Sequence, residues 1–169
     1  KMKTTRQQQD ATRRQIVGEY LRTRLFEPLG MKSAVAEFDA AGTLAGSSLI
    51  HATARDWAKL GEFLRNGGAV QGAQILPRGW IEFMTTPSPA EAGYGAQLWL
   101  NRDRSDGSGR PLPGKLPRGI ALAAGHLGQY VIVSPRQRVT MVRLGHSDED
   151  QRDAVRAHLA EILRLFPAR

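Results

Sequence analysis

The order of helical and strand-like patterns along the chain predicts an α+β fold. Apolar residues recur at helical spacing in the first half, at strand spacing in the second half, and again at helical spacing near the C-terminus. Segregated helices and strands favour an antiparallel sheet with covering helices over alternating βαβ units. The 169 residues, 41% of them hydrophobic, predict a single partial domain with a helical portion at 1–90 and sheet strands plus a terminal helix at 91–169.

The first half is predicted to contain three helices. The first, at 12–27, places apolar side chains on one face and ends at Pro28-Leu29-Gly30. The second begins with a capping-box-like pair, Thr53 and Asp56, and stops at Asn66-Gly67-Gly68. Pro77 opens the third, a short helix. The apolar positions of the first two helices are Ile16, Val17, Tyr20, Leu21, Leu25, Trp57, Leu60, Phe63 and Leu64.

Between these helices the patterns are weaker. Residues 31–52 are small and contain glycine, so we predict an irregular connection there. Short apolar runs on either side of Gln71-Gly72 predict a small hairpin.

The second half changes to strand periodicity. We predict a strand at 94–100, a long loop at 101–119, and strands at 120–124, 129–133 and 139–144, of which the last two form an antiparallel hairpin. A terminal helix at 151–166 is predicted to pack across the sheet through one apolar stripe, and the acidic run 148–150 favours its N-terminus. The stripe consists of Val155, Leu159, Ile162, Leu163 and Phe166.

Composition excludes several functions. There is no cysteine, so disulfides, thiolate metal sites and cysteine catalysis are absent from this sequence. No run of about eighteen apolar residues predicts a membrane span, and the basic start lacks the apolar stretch of a secretory signal. The net charge of +8 raises nucleic-acid binding as an alternative, but the 19 arginines are scattered and form no dense basic arm. A solvated basic surface is the favoured interpretation.

Conventional catalytic motifs are missing. None of the eight serines begins Ser-x-x-Lys or lies in Gly-x-Ser-x-Gly, the contexts in which a serine gains an activating base. The four histidines have no metal-ligand spacing, so no metal and no cofactor is predicted. His146 and His158 are interpreted as surface residues.

One group of neighbouring residues is a candidate for binding or catalysis. Gly125, His126 and Gly128 lie between two strand-like runs, where glycine permits close approach of a ligand and leaves N–H groups available to an anion. A histidine there could hold a carboxylate or relay a proton. The alternative, equally open from spacing alone, is a glycine-containing bend with an exposed histidine.

This stretch and four others, in the same order, resemble the serine hydrolase family of class C β-lactamases, penicillin-binding proteins, family VIII esterases and 6-aminohexanoate-oligomer hydrolases. The resemblance covers roughly 16–144 and implies the C-terminal part of the β-lactamase/transpeptidase-like fold. The matching segments are Leu25-Phe-Glu-Pro-Leu-Gly-Met31, Ala52-Thr-Ala-Arg-Asp-Trp-Ala58, Ile75-Leu-Pro-Arg-Gly-Trp80, Tyr94-Gly-Ala-Gln-Leu-Trp99, and Gly125-His-Leu-Gly-Gln129 with the strands that follow it.

The resemblance implies roles for specific residues. His126-Leu127-Gly128 falls on the family's third active-site motif, which is His-x-Gly in many relatives. The N–H of Gln129 would then form half of the oxyanion hole, with Leu127 and His51 as substrate contacts. We expect His126 to open onto a groove, with the Gln129 N–H unpaired by the sheet.

The family's other two motifs, Ser-x-x-Lys and Tyr-x-Asn, do not occur in this sequence. We therefore expect the C-terminal portion of a serine hydrolase that acts on an amide, ester or β-lactam bond and whose main partner is the N-terminal portion of the same protein. A catalytically inactive relative that binds a ligand or partner is the alternative. Resemblance implies a periplasmic or cell-envelope location, with the cytoplasm as the other option.

Overall fold

A computed structural model describes residues 5–46 and 48–168. Residues 1–4, Ser47 and Arg169 lie outside the described residues. The chain forms two compact units, Lys1–Lys59 and Leu60–Arg169, and each is described by itself. The sequence predicted one partial domain, and that prediction is not tested by this division.

The first unit begins with a long helix. Helix α1 (Arg6–Leu21) continues through a π-helical turn (Arg22–Phe26) into α2 (Glu27–Leu29). It starts earlier than predicted because Thr5 and Gln8 form a reciprocal capping box. It ends as predicted, at Gly30, whose φ of 69° is a left-handed conformation that glycine adopts readily.

Two residues of the predicted apolar face lie in solvent, since Ile16 and Tyr20 are 63% and 64% exposed. The buried side chains of this helix are those of Phe26 and Leu29, near its C-terminal end. Periodicity locates an apolar stripe and cannot locate its partner.

The connection at 31–52 is more ordered than predicted. Strands β1 (Val35–Ala36) and β2 (Ile50–His51) pair antiparallel. A turn stabilises the intervening segment, because the Asp39 carboxylate accepts the Thr43 N–H at 2.8 Å and the Asp39 N–H donates to the Thr43 carbonyl. Strands of two residues are too short to give a periodic signal, so the sequence analysis missed this hairpin.

Helix α3 (Ala54–Arg65) contains the boundary between the two units. Thr53 caps it by accepting the Asp56 N–H at 3.3 Å. The Asp56 carboxylate does not complete a capping box; it accepts the N–H and the hydroxyl of Ser33 instead, at 2.7 and 2.6 Å. The predicted glycine stop is confirmed, since the Gly68 N–H donates to the Phe63 carbonyl at 2.9 Å.

Two predicted elements follow in the second unit. Strands β3 (Ala69–Val70) and β4 (Ala73–Gln74) form the small hairpin. Both turn residues have positive φ, 48° at Gln71 and 84° at Gly72, as a tight two-residue hairpin requires. Helix α4 (Arg78–Thr85) begins after Pro77.

The strand predicted at 94–100 is mostly absent. Only Trp99–Leu100 (β5) joins the sheet. The preceding residues fold back on themselves: the Gly95 N–H donates to the Leu98 carbonyl at 2.8 Å, and Gln97 has a φ of 65°. A Cβ at Gly95 would lie 2.1 Å from the Met84 carbonyl oxygen, so this tight loop also depends on glycine for close packing on α4.

The main sheet has four antiparallel strands in the order β5-β6-β7-β8. Strands β6 (Ala121–Gly125), β7 (Gln129–Ser134) and β8 (Val139–Arg143) agree with the predictions to within a residue or two at their ends. The antiparallel pairing of β7 with β8 is confirmed.

The terminal helix covers one face of this sheet. Asp148 caps a 3₁₀ turn (Glu149–Gln151) that leads into α5 (Arg152–Arg164), which confirms the predicted role of the acidic run. Leu159 and Leu163 pack in one cluster with strand residues such as Ile132, although Phe166 is 43% exposed. The opposite face contributes Ala121 to a second cluster, against which Leu64 and Met84 pack. The α+β fold class is therefore confirmed.

Candidate active site

The turn between β6 and β7 carries the predicted site residues. His126, Leu127 and Gly128 form a single 3₁₀-like turn, and Gly125 and Gln129 are the last paired residues of the two strands. In a 3₁₀ turn the N–H of one residue is directed at the carbonyl three positions earlier, which for Gln129 is that of His126. The role of the Gln129 N–H as an oxyanion donor stays a prediction.

The backbone of this turn is strained. Leu127 has φ 54° and ψ 33°, a left-handed conformation that costs a non-glycine residue about 1–3 kcal/mol. Gly128 follows with a φ of 82°. The conformation favours glycine at 128, and a Cβ there would lie 2.6 Å from Nη1 of Arg143, so that the guanidinium would have to move.

The strained turn is held by the segment that follows β8. The Ser147 N–H donates to the Leu127 carbonyl at 3.1 Å. The Arg143 guanidinium donates through Nη1 to the Gly128 carbonyl at 2.5 Å and through Nη2 to the Ser147 hydroxyl at 2.6 Å. The Gln129 side chain exchanges two hydrogen bonds with the backbone of Gly145. Four contacts therefore join the 126–129 segment to residues 143–147.

The four predicted site residues of this segment differ in exposure. His126 is exposed, and Leu127, Gly128 and Gln129 are half-buried. Within residues 5–46 and 48–168, the His126 imidazole makes no hydrogen bond to protein. An exposed imidazole next to a rigid backbone turn can reach a ligand without first breaking an internal contact.

The other histidines lie apart from this turn in the chain. His51, a predicted substrate contact, is on β2 in the first unit, where its Nε2 lies 3.3 Å from Glu37 Oε1. The structure thus assigns His51 and His126 to different units. His146 and His158 are exposed beside Asp148 and Glu161, at 3.5 and 3.9 Å, as expected for surface residues.

The Glu91 carboxylate is one of the groups that order the loop at 101–119. Glu91 accepts the N–H groups of Gly93 and Ser105 at 2.7 and 3.0 Å, and these bonds lower its pKa below the usual value. Arg104 lies 5.0 Å above the Trp99 ring, a cation–π distance. These contacts attach a loop without secondary structure to the edge strand β5.

No metal site is evident in the part of the chain that the structure describes, since no three His, Asp or Glu side chains come together there. Nor does any helix within the described ranges combine the length and apolar character needed to cross a bilayer.

Arg143 and Ser147 are the residues of this region that sequence reasoning missed. They follow the turn by some fifteen to twenty positions, and no motif joins them to it. No sequence signal marks them: the burial of Ser147, which is 8% exposed, is known only from the structure.

Comparison with known proteins identifies the family to which this α+β chain belongs. The family model described as Beta-lactamase matches residues 10–165 of this chain. The chain belongs to the β-lactamase family. A search of curated proteins finds no match.

Solved structures with the same fold are much longer than this chain. One, named as a 6-aminohexanoate-dimer hydrolase from Bacillus anthracis, has a TM-score of 0.64 and 23% identity, over 87% of this chain and 38% of its own. Another, named as a β-lactamase from Bacteroides dorei, has a TM-score of 0.58 and 14% identity, over 86% of this chain and 50% of its own. The chain therefore spans half or less of these relatives.

Proposed function

We propose that this chain is the sheet-bearing part of a serine hydrolase that cleaves an amide, ester or β-lactam bond through an acyl-enzyme. In this proposal the β6–β7 turn contributes His126 and a backbone N–H to the active site. The nucleophile belongs to a segment outside these 169 residues, with the Ser-x-x-Lys motif that this sequence lacks.

The strained turn is the observation that supports the proposal. Backbone strain persists only where the surrounding structure holds it, and it is common at active sites. Here Leu127 is held in a left-handed conformation by contacts with residues 143–147, while His126 is left exposed. A rigid turn at the end of a sheet is a suitable carrier for a donor that must meet a developing negative charge without rearranging.

The described serines of this chain have no activating base. A nucleophilic serine needs a base within hydrogen-bond reach, and across residues 5–46 and 48–168 no serine hydroxyl bonds to a histidine or lysine nitrogen. Ser134 instead bonds to Gln137, and Ser147 accepts from Arg143. Ser33 donates to Asp56. These hydroxyls are engaged in structural contacts.

The first test is the activity of the chain by itself. We expect no turnover of a chromogenic cephalosporin, a p-nitrophenyl ester or the 6-aminohexanoate dimer, because no serine in the described ranges bonds to a base and the sequence has no Ser-x-x-Lys. Turnover that disappears when one of these serines is changed to alanine would overturn the assignment of the nucleophile to another segment.

The second test asks whether the nucleophile exists. The protein is recovered from its source, and mass spectrometry identifies whether a segment with Ser-x-x-Lys is continuous with this chain or bound to it. In that material we expect Gly128→Ala to lower kcat by about 10²-fold, because a side chain at this left-handed position displaces the turn and with it the proposed oxyanion donor.

Gly72→Ala is the matched control for Gly128→Ala. Gly72 has nearly the same φ, 84°, but a Cβ there would meet nothing within 4 Å. It lies in the β3–β4 turn, and we expect its substitution to leave kcat unchanged. Equal losses for the two variants, or no companion segment, would contradict the proposal.

The alternative function, ligand binding without catalysis, is favoured by a cleft at the other end of the β6–β7 hairpin. Ala121 and Val133, at the far ends of these strands, help to line a space of about 480 Å³ together with Leu64, Ile81 and Leu98. Ala121, which lines this space, lies about 13 Å along β6 from Gly125, at the usual rise per strand residue. Ligand binding that is lost on Ile81→Arg, in a chain for which no nucleophile segment is found, would favour this alternative.

A further inference from the structure

We propose that Arg143 and Ser147 are positioning residues that impose the left-handed conformation on Leu127 and thereby direct the backbone of the 126–129 turn. The catalytic role of the turn rests on the proposed function. The hydrogen bonds that hold the turn are observed in this chain and do not depend on that function.

The argument begins with the geometry of the guanidinium. Its two terminal nitrogens bond to two different acceptors, the Gly128 carbonyl and the Ser147 hydroxyl. The Ser147 N–H in turn bonds to the Leu127 carbonyl. Two successive carbonyls of the turn are thus held by one residue pair. A lysine ammonium cannot reproduce this arrangement, because it lacks the planar fork.

The charged guanidinium of Arg143 donates its hydrogen bonds to neutral acceptors. Within residues 5–46 and 48–168 no carboxylate lies within ion-pair distance of it, whereas many other arginines of the chain pair with Asp or Glu. A half-buried cation against the Gly128 carbonyl also makes the potential around the turn more positive. Such a potential favours the negative charge that develops during acyl transfer.

The burial of Ser147 supports the same inference. At 8% exposure its hydroxyl is removed from most solvent, and a buried polar group is retained at a cost unless it is bonded. Its side chain accepts from Arg143 and its backbone donates to Leu127. Ser147 therefore joins the side-chain contact to the strained residue itself.

NMR of the 169-residue chain tests this without any need for activity. The Cα and Cβ shifts of Leu127 report its left-handed backbone, and amide exchange reports the hold on residues 126–129. In Arg143→Met and in Ser147→Ala we expect the Leu127 shifts to lose their left-handed values. The turn amides should exchange at least about tenfold faster, as the loss of bonds to a charged donor implies. The mid-strand amides of Ile132 and Met141 should keep their rates.

Three further variants separate positioning from general stabilisation. Arg143→Lys keeps the charge and is expected to behave like Arg143→Met, whereas Ser147→Thr keeps the hydroxyl and is expected to restore the original shifts. Arg136→Met removes an exposed arginine at the β7–β8 turn and should change neither readout.

Left-handed Leu127 shifts and unchanged turn exchange in both Arg143→Met and Ser147→Ala would overturn the proposal. So would uniform acceleration across the sheet. Neither result depends on finding a nucleophile, so failure here is distinct from failure of the proposed function.

Discussion

The two turns that flank β7 contain the same backbone feature and use it differently. Leu127 before the strand and Arg138 after it have φ values of 54° and 56°, both left-handed and neither a glycine. The first turn exposes His126, whereas the second buries Gln137 to 8% exposure. Backbone strain alone therefore does not mark a functional turn; the direction of the polar side chains distinguishes the two.

The β7–β8 turn faces inward. The Gln137 side chain donates to the carbonyls of Leu163 and Phe166, both at 2.6 Å, and accepts the Ser134 hydroxyl at 2.7 Å. Carbonyls at a helix C-terminus have no intrahelical partner, so this glutamine caps α5 from the sheet. Through Gln137 the turn attaches the terminal helix to the strands, while Arg136 and Arg138 lie at its exposed side.

The largest expected effect is at this inward turn. Gln137→Ala should lower the free energy of unfolding by about 2–3 kcal/mol, because it leaves the buried Ser134 hydroxyl without a partner and removes two hydrogen bonds to the end of α5. The matched variant Gln129→Ala, at the other turn, should cost about 1 kcal/mol, since Gly145 is half-buried and water can replace the lost bonds. Urea unfolding of both variants measures the difference. Equal losses would remove the distinction between the two turns.

A second prediction concerns pH and the Asp56 carboxylate in the first unit. Hydrogen bonds from Lys59 and Ser33 hold the pKa of Asp56 at about 2, below its ordinary 3.8. The carboxylate therefore contributes stability that is fully present above about pH 4 and is lost as the pH falls towards 2.

The Ser33 amide is the probe for this titration, because it donates to Asp56 at 2.7 Å. Its NMR shift should titrate with an apparent pKa of about 2. In Asp56→Asn that titration should be missing, and stability should depend less on pH between 4 and 2. A Ser33 shift that titrates near pH 4 would contradict the depressed pKa.

The smallest effect is expected from relieving the strain itself. Arg138→Gly should raise stability by about 0.5 kcal/mol, because the gain from removing left-handed strain exceeds the entropy cost of glycine by a small margin. Leu127→Gly should change stability less, because it also removes a half-buried side chain. It should nevertheless accelerate exchange of the turn amides, which Arg138→Gly should not. If Arg138→Gly loosens the 126–129 turn as well, the two turns are coupled.

Much of the fold could be predicted from the sequence because its signals are local. The helix stop at Gly30, the hairpin around Gly72 and the cap at Asp148 each depend on the chemistry of a few neighbouring residues. Predictions failed where a distant partner decides. Residues 94–98 form a loop because they pack on α4, and Tyr20 is exposed although its periodicity resembles that of a buried face.

The sequence by itself indicated the family and the place of the candidate turn, because five short segments follow in the family's order and Gly125-His126-Leu127-Gly128 lies between two strand-like runs. Only the tertiary structure decided what holds that turn. Arg143 and Ser147 reach it because β8 runs antiparallel to β7 and returns the chain to the same end of the sheet. Contacts between residues so far apart follow from strand register, which no local pattern contains.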